Sequence, residues 1–280
     1  MVVRDPEGER VCFLSGERAV VGDRVRWVEA RGTGGKLVGV EPRRTALERV
    51  DAIGRVQVLA ANLGGLIVVT APVSPPFRAG LLDRYIVTAR SAGLDVVIVV
   101  NKLDEGVPAE VEEALALRDE VEQLRVSAAT GEGLQDLRDA LAVWSSDAPW
   151  ALVGHSGVGK TSLVAALLPE RDDIGEIGAL SSHWGTGQHT TTRSRLFELP
   201  GGGAIVDSPG IRTFAPGRLS SIEVRRFFPG FGTVRCKYRD CRHREGEEGC
   251  VADELVPAQL LTSYRRMHDE LVAIEERQRP

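Results

Sequence analysis

Over residues 1–41 apolar and polar positions alternate in short runs: Val11-Cys12-Phe13-Leu14, Arg24-Val25-Arg26-Trp27-Val28 and Lys36-Leu37-Val38-Gly39-Val40. Turn residues at Gly16, Gly22-Asp23 and Gly32-Thr33-Gly34-Gly35 separate them, and the pattern predicts a small β-barrel. Pro42-Arg43-Arg44 interrupts the alternation and opens a connector. From about residue 57 the rhythm changes: β-branched apolar runs alternate with stretches of helical period, as in a largely parallel sheet covered on both faces. Leu66–Thr70 and Asp95–Val100 read as strands, with an amphipathic crossover helix over 78–92 between them. Helices are expected at Pro108–Glu122 and Gly133–Trp144, and a strand at Leu124–Ser127. Trp150–Val153 reads as a strand and Lys160–Leu168 as the helix that follows it.

Residues 175–193 are rich in Gly, Ser, Thr and His and have no clear period; a run this long inside a domain is usually functional. Strands at Arg195–Leu199 and Gly203–Val206 come next, and a helix over 257–277 closes the chain. These patterns divide the chain into an N-terminal β-barrel (1–45), an α/β domain (46–215) and a C-terminal module (216–280). No aliphatic run approaches the length needed to cross a bilayer, and no signal or lipidation motif is present, so a cytoplasmic location without membrane attachment is expected.

Two pieces of a nucleotide site stand in unusual order. Gly154-His155-Ser156-Gly157-Val158-Gly159-Lys160-Thr161 fits the phosphate-binding loop, and Asn101-Lys102-Leu103-Asp104 fits the guanine-reading motif that normally follows such a loop. Here the guanine motif comes 53 positions earlier. A pocket needs its parts close in space, not in a fixed chain order, so the arrangement predicts a circularly permuted GTPase. The loop glycines let backbone N–H groups face phosphate oxygens, and the helix beginning near Lys160 points its positive end at the same anion. Lys160 is expected to bridge the β- and γ-phosphates; Thr161, followed by Ser162, offers a hydroxyl to Mg²⁺.

Asp207-Ser208-Pro209-Gly210 follows a strand 53 residues after Gly154, where an Asp holds Mg²⁺ through water and the Gly210 N–H senses the γ-phosphate. Between them lies Thr190-Thr191-Thr192, one of whose hydroxyls, with Thr190 and Thr191 the candidates, is expected to complete the Mg²⁺ shell. The Asp104 carboxylate can accept hydrogen bonds from guanine N1–H and its 2-amino group, which adenine lacks. Asn101 is expected to fix the loop and the Lys102 stem to cover the ring, while Ser127-Ala128 offers a backbone N–H to guanine O6. Where many GTPases carry a water-orienting Gln, this chain has Ile211, which can do no such thing. His189 is the candidate to replace it, ahead of His183.

The net charge of −5 hides a strong asymmetry. Residues 103–123 hold eight acids and one Arg, whereas residues 218–244 hold eight Lys or Arg against two acids and residues 31–55 hold six against three. Basic ends flanking an acidic middle give local positive faces suited to RNA. In the C-terminal basic region Cys236-x4-Cys241-x-His243-x6-Cys250 supplies the four ligands of a closed structural zinc site. Cys12, alone in a strand, is expected to be buried as an apolar residue.

With those residues in place, the chain resembles the RsgA (YjeQ) family of ribosome small-subunit-dependent GTPases. The resemblance also rests on Leu14-Ser15-Gly16, Val21-Gly22-Asp23, Pro42-Arg43-Arg44, Ala60-Ala61-Asn62 and Gly187-Gln188-His189-Thr190-Thr191-Thr192. It implies an N-terminal OB-fold, a permuted GTPase domain and a C-terminal zinc domain, with GTP/GDP, Mg²⁺ and one structural Zn²⁺. It further implies a protein that binds the immature 30S subunit and its 16S rRNA late in maturation and hydrolyses GTP when the subunit stimulates it; a monomer is expected. Two departures stand out: the N-terminal barrel is short, with Met1-Val2-Val3 where a second strand is expected to begin, and Gly64-Gly65 replaces an expected Val-Asp. Two other readings fit parts of the chain: an RNA-binding module gated by nucleotide, with hydrolysis incidental, and a P-loop ATPase or kinase with an accidental NKLD.

Overall fold

The computed structural model describes residues 1–13, 18–30, 34–50, 55–168, 194–207 and 219–278. Leu14-Ser15-Gly16, His183, Gly187–Thr192, Ser208–Gly210 and Ile211 lie outside the described residues.

Four strands, β1 (Val2–Asp5), β2 (Gly8–Phe13), β3 (Val25–Glu29) and β4 (Gly35–Val40), form a curled, OB-like N-terminal sheet in the order β1-β2-β4-β3. Its small core is Val3, Cys12 and Leu37, so Cys12 is the buried apolar residue expected. A hairpin of β5 (Ala46–Val50) and β6 (Val56–Ala61), which the hydropathy pattern does not reveal, leads out of it. Sequence reading treats this stretch as connector because Pro42-Arg43-Arg44 breaks the alternation before it.

Three separate motifs meet at this junction. Arg43 makes a two-pronged ion pair with the buried Asp23, at 2.7 and 2.8 Å, which raises the pKa of the guanidinium. Asn62 accepts from the Arg44 N–H at 2.8 Å and donates to the Gly22 carbonyl at 2.9 Å. Gly22 must be glycine, because a Cβ there would lie 2.0 Å from the Ala61 carbonyl oxygen and its φ is +86°.

The central sheet has six strands in the order β11-β12-β10-β7-β8-β9. These are β7 (Gly65–Thr70), β8 (Asp95–Val100), β9 (Glu122–Arg125), β10 (Trp150–Val153), β11 (Arg195–Glu198) and β12 (Ala204–Asp207); all neighbours are parallel except β11 with β12. Alternate residues of each strand supply opposite cores. Leu66, Val68, Ile98, Val100, Ala151 and Val153 pack beneath α1 (Ala79–Ser91) and α2 (Ala109–Ala116). Ile67, Val69, Val97, Val99 and Leu152 pack beneath α3 (Leu134–Trp144) and α4 (Lys160–Leu167). This double covering is why the strands read as unbroken apolar runs.

The helix expected over Pro108–Glu122 stops at Ala116, and the next strand starts at Glu122 rather than Leu124. Gln123 ends the helix by donating to the Leu115 and Arg118 carbonyls at 2.9 and 3.2 Å. The strand's polar composition fits its place at the sheet edge. Arg118, fully buried, forms a two-pronged pair with the equally buried Asp83 of α1 at 2.7 and 2.8 Å. Asp83→Ala would strand a guanidinium in the core and is expected to cost about 3 kcal/mol, read as a lowered urea midpoint.

Gly64-Gly65 has a structural counterpart in Trp150: a Cβ on Gly65 would meet its indole at 2.6 Å, and one on Gly64 its Nε1 at 3.0 Å. Trp150 stacks on Trp144 at 5.3 Å in the space that side chains at 64 and 65 would otherwise take.

Residues 219–278 add α5 (Ala252–Leu255) and the long α6 (Ala258–Gln278). Phe228, Phe231, Tyr264 and Leu271 make their core, and Val87 of α1 enters it. Arg84 of α1 pairs with Glu270, fastening this module to the central sheet's helical layer. No helix among the described residues is long and apolar enough to cross a membrane.

Candidate functional site

The phosphate loop joins β10 to α4, at the carboxyl ends of the parallel strands where open α/β sheets bind ligands. Its backbone conformation requires glycine. Gly154, Gly157 and Gly159 have φ of +146°, +86° and +89°. A Cβ on Gly154 would lie 2.2 Å from the Val69 carbonyl oxygen, and one on Gly159 2.4 Å from Asn101 Nδ2. Val158 is buried and anchors the loop in the core beneath α4. Ser156 is exposed, and His155 Nδ1 lies 2.8 Å from the Ser156 carbonyl. Lys160, Thr161 and Ser162 form the first turn of α4, whose N–H groups are available to an anion. The Lys160 ammonium curls back over the loop and donates to the Gly154 and His155 carbonyls at 2.8 and 2.9 Å.

Tyr85 of α1 lines a small cavity under this loop together with Val69, Pro75, His155 and Val158. Burial pushes its phenol up to about 12, with the Gly154 backbone acting in the opposite sense, so the side chain is neutral at physiological pH.

The guanine-reading motif sits beside the loop. Asn101, almost fully buried, donates from Nδ2 to the Val158 carbonyl at 2.9 Å and accepts the Ala128 N–H on Oδ1 at 3.0 Å. One side chain thereby joins the phosphate loop, NKLD and the Ser127-Ala128 turn, which are separate in sequence. The Ala128 N–H, expected at guanine O6, is spent on Asn101 here. Asp104 lies in a 3-10 turn (Leu103–Glu105) and accepts from the buried Ser127 hydroxyl. Lys102 takes the left-handed conformation, φ +68°, and its ammonium reaches the Ser74 carbonyl at 2.6 Å. Ser74 is missed by sequence reading, since no local pattern marks a residue whose partners lie 28 and 31 positions away.

Asp207 ends β12, paired in register with Leu152 of β10, so its strand leads to the same edge of the sheet as the phosphate loop. Thr161 and Asp207 are the described residues suited to Mg²⁺, whose chemistry is to neutralise charge on the phosphates. His189, Thr190, Thr191 and Gly210 lie outside the described residues.

Far along the chain, Cys236, Cys241, His243 and Cys250 converge, with all four ligand atoms within 4.8 Å of one another. The Cys236 and Cys250 sulfurs are 3.9 Å apart, and His243 Nδ1 lies 3.4, 3.5 and 3.5 Å from the three sulfurs. Tetrahedral bonds of about 2.3 Å to sulfur and about 2.05 Å to nitrogen would separate two sulfurs by about 3.8 Å and sulfur from nitrogen by about 3.6 Å. The donor set therefore fits zinc in both chemistry and size. Burial raises the Cys241 and Cys250 thiols and lowers His243, so the apo cluster favours neutral groups.

Known proteins share this architecture. A family described as RsgA GTPase matches residues 40–216. The relative named Small ribosomal subunit biogenesis GTPase RsgA from Azotobacter vinelandii is 41% identical over 260 residues, spanning 89% of this chain and 74% of its own. Its namesake from Pseudomonas syringae pv. tomato is 40% identical over 283 residues, spanning 94% and 80%. The crystal structure of YjeQ from Thermotoga maritima superposes with a TM-score of 0.73 at 26% identity, covering 97% of this chain and 94% of that one. YloQ, described as a circularly permuted GTPase, gives a TM-score of 0.68 at 20% identity, covering 100% and 92%, and shares the fold. With the phosphate loop following the base-reading loop in sequence and touching it through Asn101, the chain belongs to the RsgA GTPase family and is a GTP hydrolase.

Proposed function

We propose that this GTPase acts in biogenesis of the small ribosomal subunit, binding the immature 30S particle late in its maturation and hydrolysing GTP to GDP and phosphate when the particle stimulates it. The observation that carries the nucleotide part is the Asn101 bridge between phosphate loop and base-reading loop. The names of the relatives support the ribosomal part.

In this reading Lys160 bridges the β- and γ-phosphates, and Gly154, His155, Ser156, Gly157, Val158 and Gly159 turn backbone around them. Thr161, Asp207 and Thr190 or Thr191 hold Mg²⁺, with Ser162 supporting the first turn, and Gly210 reports on the γ-phosphate. Asp104 reads guanine, held by Ser127. Because Ile211 cannot orient water, His189 takes that role when the subunit stimulates hydrolysis. The Cys236, Cys241, His243 and Cys250 cluster binds one structural Zn²⁺, folding a basic module in which the exposed Arg226, Arg239 and Arg244 face 16S rRNA. The working units are 1–45, 46–215 and 216–280, acting as a monomer in the cytoplasm.

Two measurements test this. GTP turnover is expected to rise at least tenfold on adding 30S subunits, and His189→Ala is expected to lose most of that rise; unchanged turnover with subunits would remove the ribosomal reading. Asp104→Asn is expected to weaken GDP by about 100-fold and favour xanthosine diphosphate, because an amide cannot accept both guanine hydrogen bonds.

A further inference from the structure

We propose that Glu105 is a positioning residue for nucleotide binding, acting through Lys102 and Ser74 to brace the base-reading loop against the segment 72–78 that borders the phosphate loop. The inference rests on reading Asn101–Asp104 as the guanine-recognition loop and adds a residue that the motif does not include.

Three polar contacts close a ring. The Lys102 ammonium donates to the Ser74 carbonyl at 2.6 Å and lies 3.4 Å from Glu105 Oε1, while the Ser74 N–H donates to Glu105 Oε2 at 3.1 Å. The Glu105 backbone N–H completes the turn by donating to the Lys102 carbonyl at 3.0 Å. One carboxylate thus satisfies a cation on its own loop and an amide on another segment. Next along that segment, Pro75 packs against the phosphate loop: a Cβ on Gly157 would stand 3.5 Å from its Cδ. The base-reading and phosphate loops are therefore tied twice, once through the buried Asn101 amide and once through Glu105, Ser74 and Pro75.

The second tie matters because of Lys102's backbone. A non-glycine residue at φ +68° is held there by its surroundings, and the ring provides that hold. The Lys102 stem carries four freely rotating carbons, and anchoring its end fixes the stem's direction before a base arrives. A stem ordered in advance loses less freedom when nucleotide binds. Glu105 does not choose between bases, which is the task of Asp104; it sets how tightly a nucleotide is kept. Lys102 and Glu105 are 27% and 31% exposed, so the effect is moderate and salt-dependent.

The test is affinity and dissociation rate of a fluorescent GDP analogue, with KM and kcat for GTP, in wild type, Glu105→Gln, Lys102→Met and the double variant. Glu105→Gln is expected to weaken GDP by about three- to tenfold, chiefly through faster dissociation, and to raise KM more than it lowers kcat. The double variant is expected to be no weaker than the poorer single one, because both remove the same brace. Higher salt is expected to narrow the gap to wild type. Wild-type GDP affinity in Glu105→Gln, or additive losses in the double variant, would overturn the proposal. Asp104→Asn is measured alongside. If it keeps its preference for GDP over xanthosine diphosphate, the base-reading assignment fails and the inference with it; if it switches while Glu105→Gln binds normally, the inference alone fails.

Discussion

Lys160→Ala is expected to lower GTP turnover by at least about 1,000-fold, with or without small subunits, a loss of about 4 kcal/mol of transition-state stabilisation. The ammonium stands over the loop, held by the Gly154 and His155 carbonyls at 2.8 and 2.9 Å. Those carbonyls place the charge where the β- and γ-phosphates would lie against the N–H groups of α4. Alanine removes the one cation that the loop contributes, and the helix dipole alone supplies a much smaller partial charge. Lys160→Arg is also expected to fail, since a planar guanidinium does not replace a compact ammonium in a loop this tightly packed against Val69 and Asn101. Phosphate release at saturating GTP is the measurement. Activity within tenfold of wild type would mean that another cation does the work.

The second large effect concerns the C-terminal module. Purified protein is expected to carry one equivalent of zinc by atomic absorption. Cys241→Ser or a strong chelator is expected to expose residues 234–251 to proteolysis and hydrogen exchange while the central sheet stays protected. Comparable closed sites contribute about 10 kcal/mol or more of folding free energy. Regular structure between Phe227 and Val251 is almost absent, and hydrogen bonds from Arg225 and Arg265 to the Cys241, Arg239 and His243 carbonyls are few, so metal ligation would add a strong restraint on this stretch. The aromatic core of Phe228, Phe231 and Tyr264 rests on α6 and α1 and is expected to survive in part. Acidity gives an independent check. Burial raises the Cys241 and Cys250 thiols in the metal-free module, so zinc must displace protons that are firmly held. Zinc affinity is therefore expected to fall as pH decreases, with protons released on uptake. Protein that contains no zinc and resists both treatments would rule out a structural metal.

The zinc prediction also shows how far a pattern carries. Cysteine spacing names the ligands because metal chemistry demands particular atoms, and the folded chain then brings those atoms within 4.8 Å of one another. The phosphate loop was legible for a similar reason: only glycine fits at 154, where a Cβ would stand 2.2 Å from the Val69 carbonyl oxygen. Strands β7, β8 and β10 were legible because burial on both faces leaves an uninterrupted apolar run. The β5–β6 hairpin was not, and β9 was read with its start two residues late, since half-exposed strands with polar residues look like connectors.

By itself the sequence determined which chemistry the chain holds: a phosphate loop, a guanine motif written ahead of it, a Cys₃His ligand set and the alternating elements that carry them. These are properties of residue types at short range, where sterics and ligand chemistry leave few choices. Tertiary structure decided what meets what. It placed Asn101 against Val158, Glu105 against Ser74, Arg118 against Asp83 and Trp150 over Gly65, pairs separated by 31 to 85 positions. Such contacts depend on the register and twist of a whole sheet, and no local pattern encodes them.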